Sequence, residues 1–177
     1  MGMTFFSLVF FWASDELKAQ GTQAEAQAKA LAESEAQVRP HVENMTRYFT
    51  GAHAYGEAQT TQVEYMAPDG RAFLWQAGKQ AVLPGEWRVE HQRYGKLVVI
   101  VVCFKFDDVK DFIPQLGRER ALWQCQNAST FLRSYAAGAV EEAEGDIFGL
   151  SGRTYAPFIL SPTKTSLEDL RRRMAGR

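Results

Sequence analysis

The chain has 177 residues, of which 46% are hydrophobic and 12% aromatic, so it can bury the core of one folded domain and is not a disordered chain. Its net charge of −1 excludes a nucleic-acid binder that works through a general basic surface. Its two cysteines exclude a disulfide-dense miniprotein and a zinc site of four cysteines. No apolar run reaches the roughly 18–20 residues of a membrane-spanning helix.

An apolar segment stands near the N-terminus, at residues 3–13 (MTFFSLVFFWA), within a predicted hydrophobic region 1–13. Three interpretations compete: an export signal, whose apolar part is about 7–15 residues long, a retained anchor, or a buried first segment of the fold. No Lys or Arg precedes the run and Asp15 and Glu16 follow it, which is not typical of an export signal. The residues expected to dock on a membrane or partner are Phe5, Phe6, Leu8, Val9, Phe10, Phe11 and Trp12.

Residues 14–51 form the predicted helical region. Ser14 is a candidate N-cap, and the following residues to Val38 are mostly Ala, Gln, Glu and Lys, which favour helix but offer little to bury. Residues 40–50 are predicted to form a short amphipathic helix that Gly51 ends. Its apolar positions are Val42, Met45 and Phe49.

The next part of the sequence, residues 52–164, is predicted to be an antiparallel β-domain. Strands are expected at 60–66, 71–76, 86–92 and 97–106, where β-branched and aromatic residues recur between turn residues. The fold class is mainly β, α+β overall: an antiparallel meander or a small lipocalin-like barrel. The expected core face contains Val63, Tyr65, Phe73, Trp75, Trp87 and Val89.

The C-terminal part has weaker patterns. Residues 165–177 are predicted to form a C-terminal helix and tail, with Thr165 and Glu168 as a capping box. The other expectations are a loop or short helix at 107–117, a strand at 120–126, a strand or helical turn at 129–137, an acidic patch at 140–145, a strand at 146–150 and an edge strand at 155–160.

The two cysteines, Cys103 and Cys125, lie in neighbouring predicted strands. If these strands are antiparallel neighbours, the cysteines can form a disulfide, which indicates an oxidising compartment such as a bacterial periplasm. The alternative is two buried, unreactive thiols. No metal site is expected, because no His lies at ligand spacing from either cysteine.

The usual motifs of catalysis and cofactor binding are missing from the sequence, which contains no phosphate-binding loop, nucleotide-binding glycine motif, nucleophile elbow or zinc-protease motif. We therefore expect no catalytic residue and no cofactor. A closed barrel would leave room for one small apolar ligand, whereas a filled core would not. If a cavity exists, its lining is expected to include Tyr65, Phe73, Trp75, Trp87 and His91.

One pattern resembles a known group of proteins. The residues 65–70 (YMAPDG), 85–89 (GEWRV) and 95–97 (GKL), followed by Cys103, resemble small exported bacterial β-domains of unknown function. In those lipocalin-like meanders, Y-x-x-P-D-G begins one hairpin and G-x-W closes the next. The resemblance covers residues 65–103 and implies a periplasmic or envelope location without established catalytic residues.

The sequence thus predicts a non-enzymatic, envelope-associated accessory or interaction protein that binds a protein partner, with membrane contact through segment 3–13 and no nucleic acid. One alternative is a lipocalin-like carrier of a small apolar ligand. The other is a thiol or hydrolytic enzyme, which would require His91 within hydrogen-bond reach of a Cys or Ser.

Overall fold

The computed structural model describes residues 8–51, 60–95, 97–106, 123–136 and 140–176, with side chains described in these ranges except at 8–20, 51, 60 and 134–136. Within these ranges the helices are α1 (Leu8–Val38), α2 (Ala128–Ala136) and α3 (Leu167–Ala175). The strands are β1 (Met45–Gly51), β2 (Thr60–Met66), β3 (Arg71–Gln76), β4 (Leu83–Tyr94), β5 (Leu97–Phe106), β6 (Gln124–Asn127) and β7 (Val140–Glu144).

The strands form one antiparallel sheet in the order β6-β5-β4-β3-β2-β1-β7, which curls into a half-barrel. Helix α2 follows one edge strand, β6, and leads into the other, β7. It therefore connects the two edges of the sheet and packs against β5, β6 and β7. The predicted class, a mainly antiparallel β protein with an N-terminal and a C-terminal helix, is confirmed.

The meander from β2 to β5 agrees with the sequence prediction. Each of these strands pairs with the next in the chain. The turn before β3 uses Gly70 at φ 85°, a left-handed conformation that glycine adopts without steric cost. Strand β4 has the predicted alternation, since Trp87 and Val89 are buried while Glu86 and Arg88 are exposed.

The prediction of a helix over 40–50 is wrong for its second half. Only Arg39–His41 form a short 3-10 turn, and Met45 to Gly51 are strand β1. The apolar spacing that indicated a helix is also compatible with a strand, because Met45 and Phe49 are four residues apart and so share one face of it. Buried Tyr48 lies on the other face. Pairing with β2 on one side and β7 on the other decides in favour of a strand.

Several C-terminal predictions are also corrected. Residues 140–144 are a strand rather than only an acidic patch. Of the two alternatives for 129–137, the helical one is correct, since Ala128–Ala136 form α2. Residues 146–150 form a turn that leads into a short 3-10 helix, and 155–160 make only an isolated bridge with Ala81. The loop predicted at 107–117 lies outside the described residues.

The C-terminal helix exists as predicted, but its cap is different. Helix α3 begins at Leu167, and its N-cap is Ser166, whose side-chain oxygen accepts a hydrogen bond from the backbone N–H of Asp169. Thr165 instead donates its hydroxyl to the Asp169 carboxylate, at 3.1 Å. The cap is thus one residue later than predicted, and Leu167 and Leu170 lie on the buried side of the helix.

The two faces of the sheet carry separate hydrophobic clusters, core A and core B. Core A is covered by the C-terminal segment, and core B by α2 and the end of α1. Core A contains Tyr48, Val63, Tyr65, Ala67, Phe73, Trp75, Val82, Phe148, Leu150, Phe158, Leu160, Leu167 and Leu170. Core B contains Val42, Met66, Ala72, Trp87, Val89, Val102, Ala128 and Phe131.

The single predicted core face is therefore wrong. Val63 on β2 pairs with Trp75 on β3, and both face core A. Ala72 on β3 pairs with Gly85 on β4, and both positions face core B. Trp87 lies two residues after Gly85 and therefore on the same face as Gly85. Because side chains alternate along a strand, the register places Trp75 in core A and Trp87 in core B. A sheet covered on both faces can bury both tryptophans without enclosing a cavity between them.

Candidate functional site

The predicted ligand-binding residues do not surround one space. Tyr65, Phe73 and Trp75 lie in core A, where the Trp75 ring meets the rings of Phe148 and Phe158 edge-on. These contacts are the close aromatic packing of a filled interior. The geometry therefore offers no common pocket for the five residues that the lipocalin-like interpretation requires.

Trp87 and His91 share one face of β4, as predicted, but they differ in their surroundings. The Trp87 indole N–H is buried and donates to the carbonyl oxygen of Ala67 at 2.8 Å. The His91 side chain is 53% exposed, and its Nδ1 lies 2.9 Å from a carboxylate oxygen of Glu35 on α1. The hydrogen-bond partner of His91 is thus an acid rather than the Cys or Ser that the enzyme alternative requires.

The two cysteines form the predicted disulfide, with an S–S distance of 2.04 Å. They occupy directly opposite positions on β5 and β6. Cys103 is fully buried, whereas Cys125 is exposed on the outer strand. The bond fixes the short edge strand β6 to its neighbour β5 and leaves neither sulfur as a free thiol.

Polar side chains of β4 surround this disulfide on the same face. Gln92 directs its amide nitrogen to Cys125 Sγ at 3.3 Å and to Glu90 Oε1 at 3.1 Å. Glu90 Oε1 lies 3.5 Å from Cys103 Sγ. The Arg88 guanidinium binds the other Glu90 oxygen at 2.8 Å and lies over the Trp123 ring. Sequence reasoning missed these neighbours, because only the strand register brings them to the sulfurs.

The predicted docking segment lies at the N-terminal end of α1. Phe5 and Phe6 are outside the described residues. Leu8, Val9, Phe10, Phe11 and Trp12 belong to the backbone of α1, and their side chains are not described. Among the helices that the structure describes, none has a long enough apolar stretch to cross a membrane.

Among the residues of α1 whose side chains are described, those near the C-terminal end of the helix pack on the sheet. Residues 21–30 are exposed, and burial begins at Leu31 and continues through Glu35 to Val38. Val38 packs against core B. Residues 21–30 of α1 therefore have no covering layer among the described residues.

A charged row crosses the sheet on the core B face, which the sequence did not predict. Arg47 on β1 pairs with Glu64 on β2 and with Glu142 on β7, so one guanidinium lies between two carboxylates. The Arg47 and Glu64 side chains are 5% and 10% exposed, and their nearest charged atoms are 3.8 Å apart. The ring of Phe131 on α2 covers the Arg47 guanidinium at 3.9 Å.

Burial changes the acidity of this row, which we call the Glu64–Arg47–Glu142 row. Loss of water raises the pKa of the Glu64 carboxyl above its ordinary value, and the positive charge of Arg47 opposes that rise. Partial loss of water raises the pKa of Glu142 as well, against the charges of Arg47 and His41, although this residue of the edge strand β7 is exposed. Alternation in residues 60–66 places Glu64 and Tyr65 on opposite faces of the strand. It does not show that the Glu64 face is covered, which α2 and the end of α1 do.

A shallow surface depression lies on the other side of the domain. Backbone hydrogen bonds join Val82 to Thr154 and Ala156 to Gln80, so an irregular segment lies beside the start of β4. Tyr155 and Ile159 are 69% and 52% exposed at this place. The depression is lined by Gln80, Tyr155, Ala156, Pro157, Phe158 and Ile159.

The geometry thus comprises a long N-terminal helix, a disulfide among polar side chains and a charged row that is buried at Arg47 and Glu64 and exposed at Glu142. Comparison of the chain with known protein families, with curated proteins and with solved structures found no match.

Proposed function

We propose that this protein is a non-enzymatic accessory protein of the bacterial envelope, held to a membrane or to a membrane-associated partner through its N-terminal apolar segment. The observation that carries the proposal is the form of α1. It is one continuous helix from Leu8 to Val38, and its apolar end is remote from the part that packs on the sheet.

The length of α1 supports a role as a stalk. Leu31 is the first half-buried residue among those of α1 whose side chains are described. At about 1.5 Å of rise per residue, the helix from Leu8 to Leu31 is roughly 35 Å long. Residues 21–30 are exposed and mostly Ala, Gln and Glu. Such a surface is well hydrated and has little area to bury, so the helix is suited to separating the apolar segment from the β-domain.

The disulfide supports a location of the protein in the envelope rather than in the cytosol. Bonds between cysteines persist in oxidising compartments and are rare where thiol reductants are abundant. The Cys103–Cys125 bond joins paired positions of two strands, which is compatible with a structural role in a secreted protein. Resemblance of residues 65–103 to exported bacterial β-domains favours the same location.

Membrane contact is tested by flotation with vesicles of phosphatidylethanolamine and phosphatidylglycerol. We expect the full chain to float with the vesicles and the Phe10→Asp/Phe11→Asp variant to stay in the dense fraction. The Ala24→Asp/Ala28→Asp variant is the matched control, because it adds the same charge to an exposed part of the same helix. Equal flotation of all three proteins would refute docking through the apolar segment.

Location and partner are tested in a bacterial host. The full chain is fused at its C-terminus to an alkaline phosphatase that is active only when exported, and we expect an active fusion. Intact-mass spectrometry of the purified native protein then shows whether residues 1–13 are retained, and cross-linking identifies proteins bound near them. An inactive fusion would contradict the envelope location, and removal of residues 1–13 would contradict the anchor.

A further inference from the structure

The polar side chains around the disulfide match the donor set of a metal site. We propose that reduction of the Cys103–Cys125 bond converts this position into a site for a thiophilic divalent cation such as Zn²⁺, with Cys103, Cys125 and Glu90 as ligands. The inference is independent of the proposed function. Sequence reasoning found no metal site because it searched for histidines near the cysteines, whereas the third donor comes from the neighbouring strand β4.

The register brings the three donors to one face. Cys103 pairs with Cys125 on one side and with Arg88 on the other, and Glu90 lies two residues from Arg88 on the same face of β4. Their donor atoms all lie within 4.8 Å of one another. A sheet holds such positions firmly, so the donors are already assembled before any cation arrives.

The distances agree with tetrahedral coordination. Zinc binds sulfur at about 2.3 Å and carboxylate oxygen at about 2.0–2.2 Å, so two neighbouring ligands of a tetrahedral ion lie about 3.6 Å apart. Glu90 Oε1 is 3.5 Å from Cys103 Sγ. Glu90 Oε1 also lies within 4.8 Å of Cys125 Sγ. The two sulfurs must separate, which breaking their bond allows. With three protein ligands, the fourth position is left to water.

The neighbours of Glu90 hold it in place for this role. Arg88 binds Oε2 of Glu90, which leaves Oε1 directed to the sulfurs. The Gln92 amide donates to that Oε1, and the Tyr94 hydroxyl in turn donates to Gln92 Oε1 at 2.7 Å. Partners that orient a ligand in this way tune metal affinity. Two thiolates, one carboxylate, one guanidinium and a divalent cation together have no net charge.

The chemistry is a two-electron exchange followed by binding. An external dithiol gives two electrons and two protons to the disulfide and becomes a disulfide itself, while the Cys103–Cys125 bond breaks and both sulfurs become thiols. The cation then binds both sulfurs as thiolates and displaces two protons to solvent. Oxidation of the pair reverses the sequence and releases the cation. The exposed position of Cys125 gives the dithiol access.

The test uses Co²⁺ as a spectroscopic probe of the full chain. The protein is reduced with a dithiol, freed of it by anaerobic gel filtration and titrated with Co²⁺. We expect the sulfur-to-cobalt charge-transfer band and the visible bands of tetrahedral cobalt, both displaced by Zn²⁺ and both missing from the oxidised protein. A reduced, folded protein without these bands would overturn the proposal.

Matched variants separate a built site from a bare pair of thiols. Glu90→Gln is expected to weaken Co²⁺ binding by about ten- to a hundredfold. Glu86→Gln is the control, since Glu86 lies on the same face of β4 and pairs with Lys105 instead, and its affinity is expected to equal that of the wild type. Equal affinity of the Glu90→Gln variant would show that the carboxylate is not a ligand and would overturn the site.

A second measurement covers the case in which the reduced chain loses its fold. Circular dichroism in the near ultraviolet reports the packing of the aromatic side chains. If reduction abolishes that signal, Zn²⁺ is expected to restore it in the wild type and to restore it less well in Glu90→Gln. Failure of Zn²⁺ to restore the signal would contradict the proposal.

Discussion

Replacement of Arg47 by Met tests the energetics of the Glu64–Arg47–Glu142 row. The substitution keeps an apolar chain of similar length but removes the charge between two carboxylates. Because the Glu64 side chain is only 10% exposed, it would be left as a buried charge without its cation. Breaking a buried ion pair from one side costs about 3–5 kcal/mol. We therefore expect Arg47→Met to lower the free energy of unfolding by about that amount at neutral pH.

The loss of unfolding free energy should depend on pH, and the pKa of the Glu64 carboxyl sets the direction of that dependence. Burial already raises its pKa in the folded protein and Arg47 limits the rise, so Arg47→Met raises the pKa further. The folded state then holds the proton more tightly than the unfolded chain, whose carboxyl titrates at about 4.3. The stabilising contribution of that proton is complete below the unfolded pKa and is lost as pH rises through the folded pKa. The loss of unfolding free energy caused by Arg47→Met should therefore grow from pH 4 to pH 8.

The assay is urea unfolding followed by tryptophan fluorescence, since Trp75 and Trp87 are buried and report loss of both cores. The exposed pair of Arg71 and Asp69 supplies the control. Its charged atoms are closer, at 2.6 Å, but both side chains are more than half exposed, so Arg71→Met should have a much smaller effect. The double variant Arg47→Met/Glu64→Gln should recover part of the loss. A small, pH-independent effect of Arg47→Met would refute the coupling.

Three further predictions concern stability. Replacing Cys103 and Cys125 together by Ser should lower the free energy of unfolding by about 3 kcal/mol, because the bond closes a loop over a separation of 22 residues; an unchanged urea midpoint would contradict this. Gly85→Ala should lower the melting temperature, because a Cβ there would overlap the Lys105 carbonyl oxygen, at a cost of about 1–3 kcal/mol; a wild-type thermal transition in circular dichroism would refute it. Ser166→Ala should cost about 1 kcal/mol by removing the α3 cap, and restoration by Ser166→Asp in the same urea assay is the check.

Sequence patterns were sufficient for the part of the fold that local contacts define. Strands β2 to β5 are connected by short turns, and each pairs with its neighbour in the chain. Alternation and turn residues therefore identified them. The Cys103–Cys125 bond followed from the same local order, because β6 pairs with β5. The C-terminal helix was recognised from its acidic first turn and basic last turn.

The remaining features depend on contacts between distant parts of the chain. Strand β1 is a strand because β2 and β7 pair with it, and its own apolar spacing also fits a helix. Glu64 is buried on a face of the sheet that α2 and the end of α1 cover, which alternation within β2 does not reveal. Glu90 reaches the cysteines only through the register of β4 with β5. Each of these depends on long-range pairing rather than on a local pattern.

The position of β1 beside β7 has a consequence for how the chain folds. Thr46 donates a hydrogen bond to Gly145, which is 99 residues away in the chain, and the backbone N–H of Thr165 donates to Tyr48 across 117 residues. Contacts over such separations form slowly and only after the distant segment has been synthesised. During synthesis the β2–β5 meander can therefore form while Trp75 still lacks the C-terminal segment that covers core A. Ribosome-bound chains that end before residue 148 should consequently expose the apolar surface of core A.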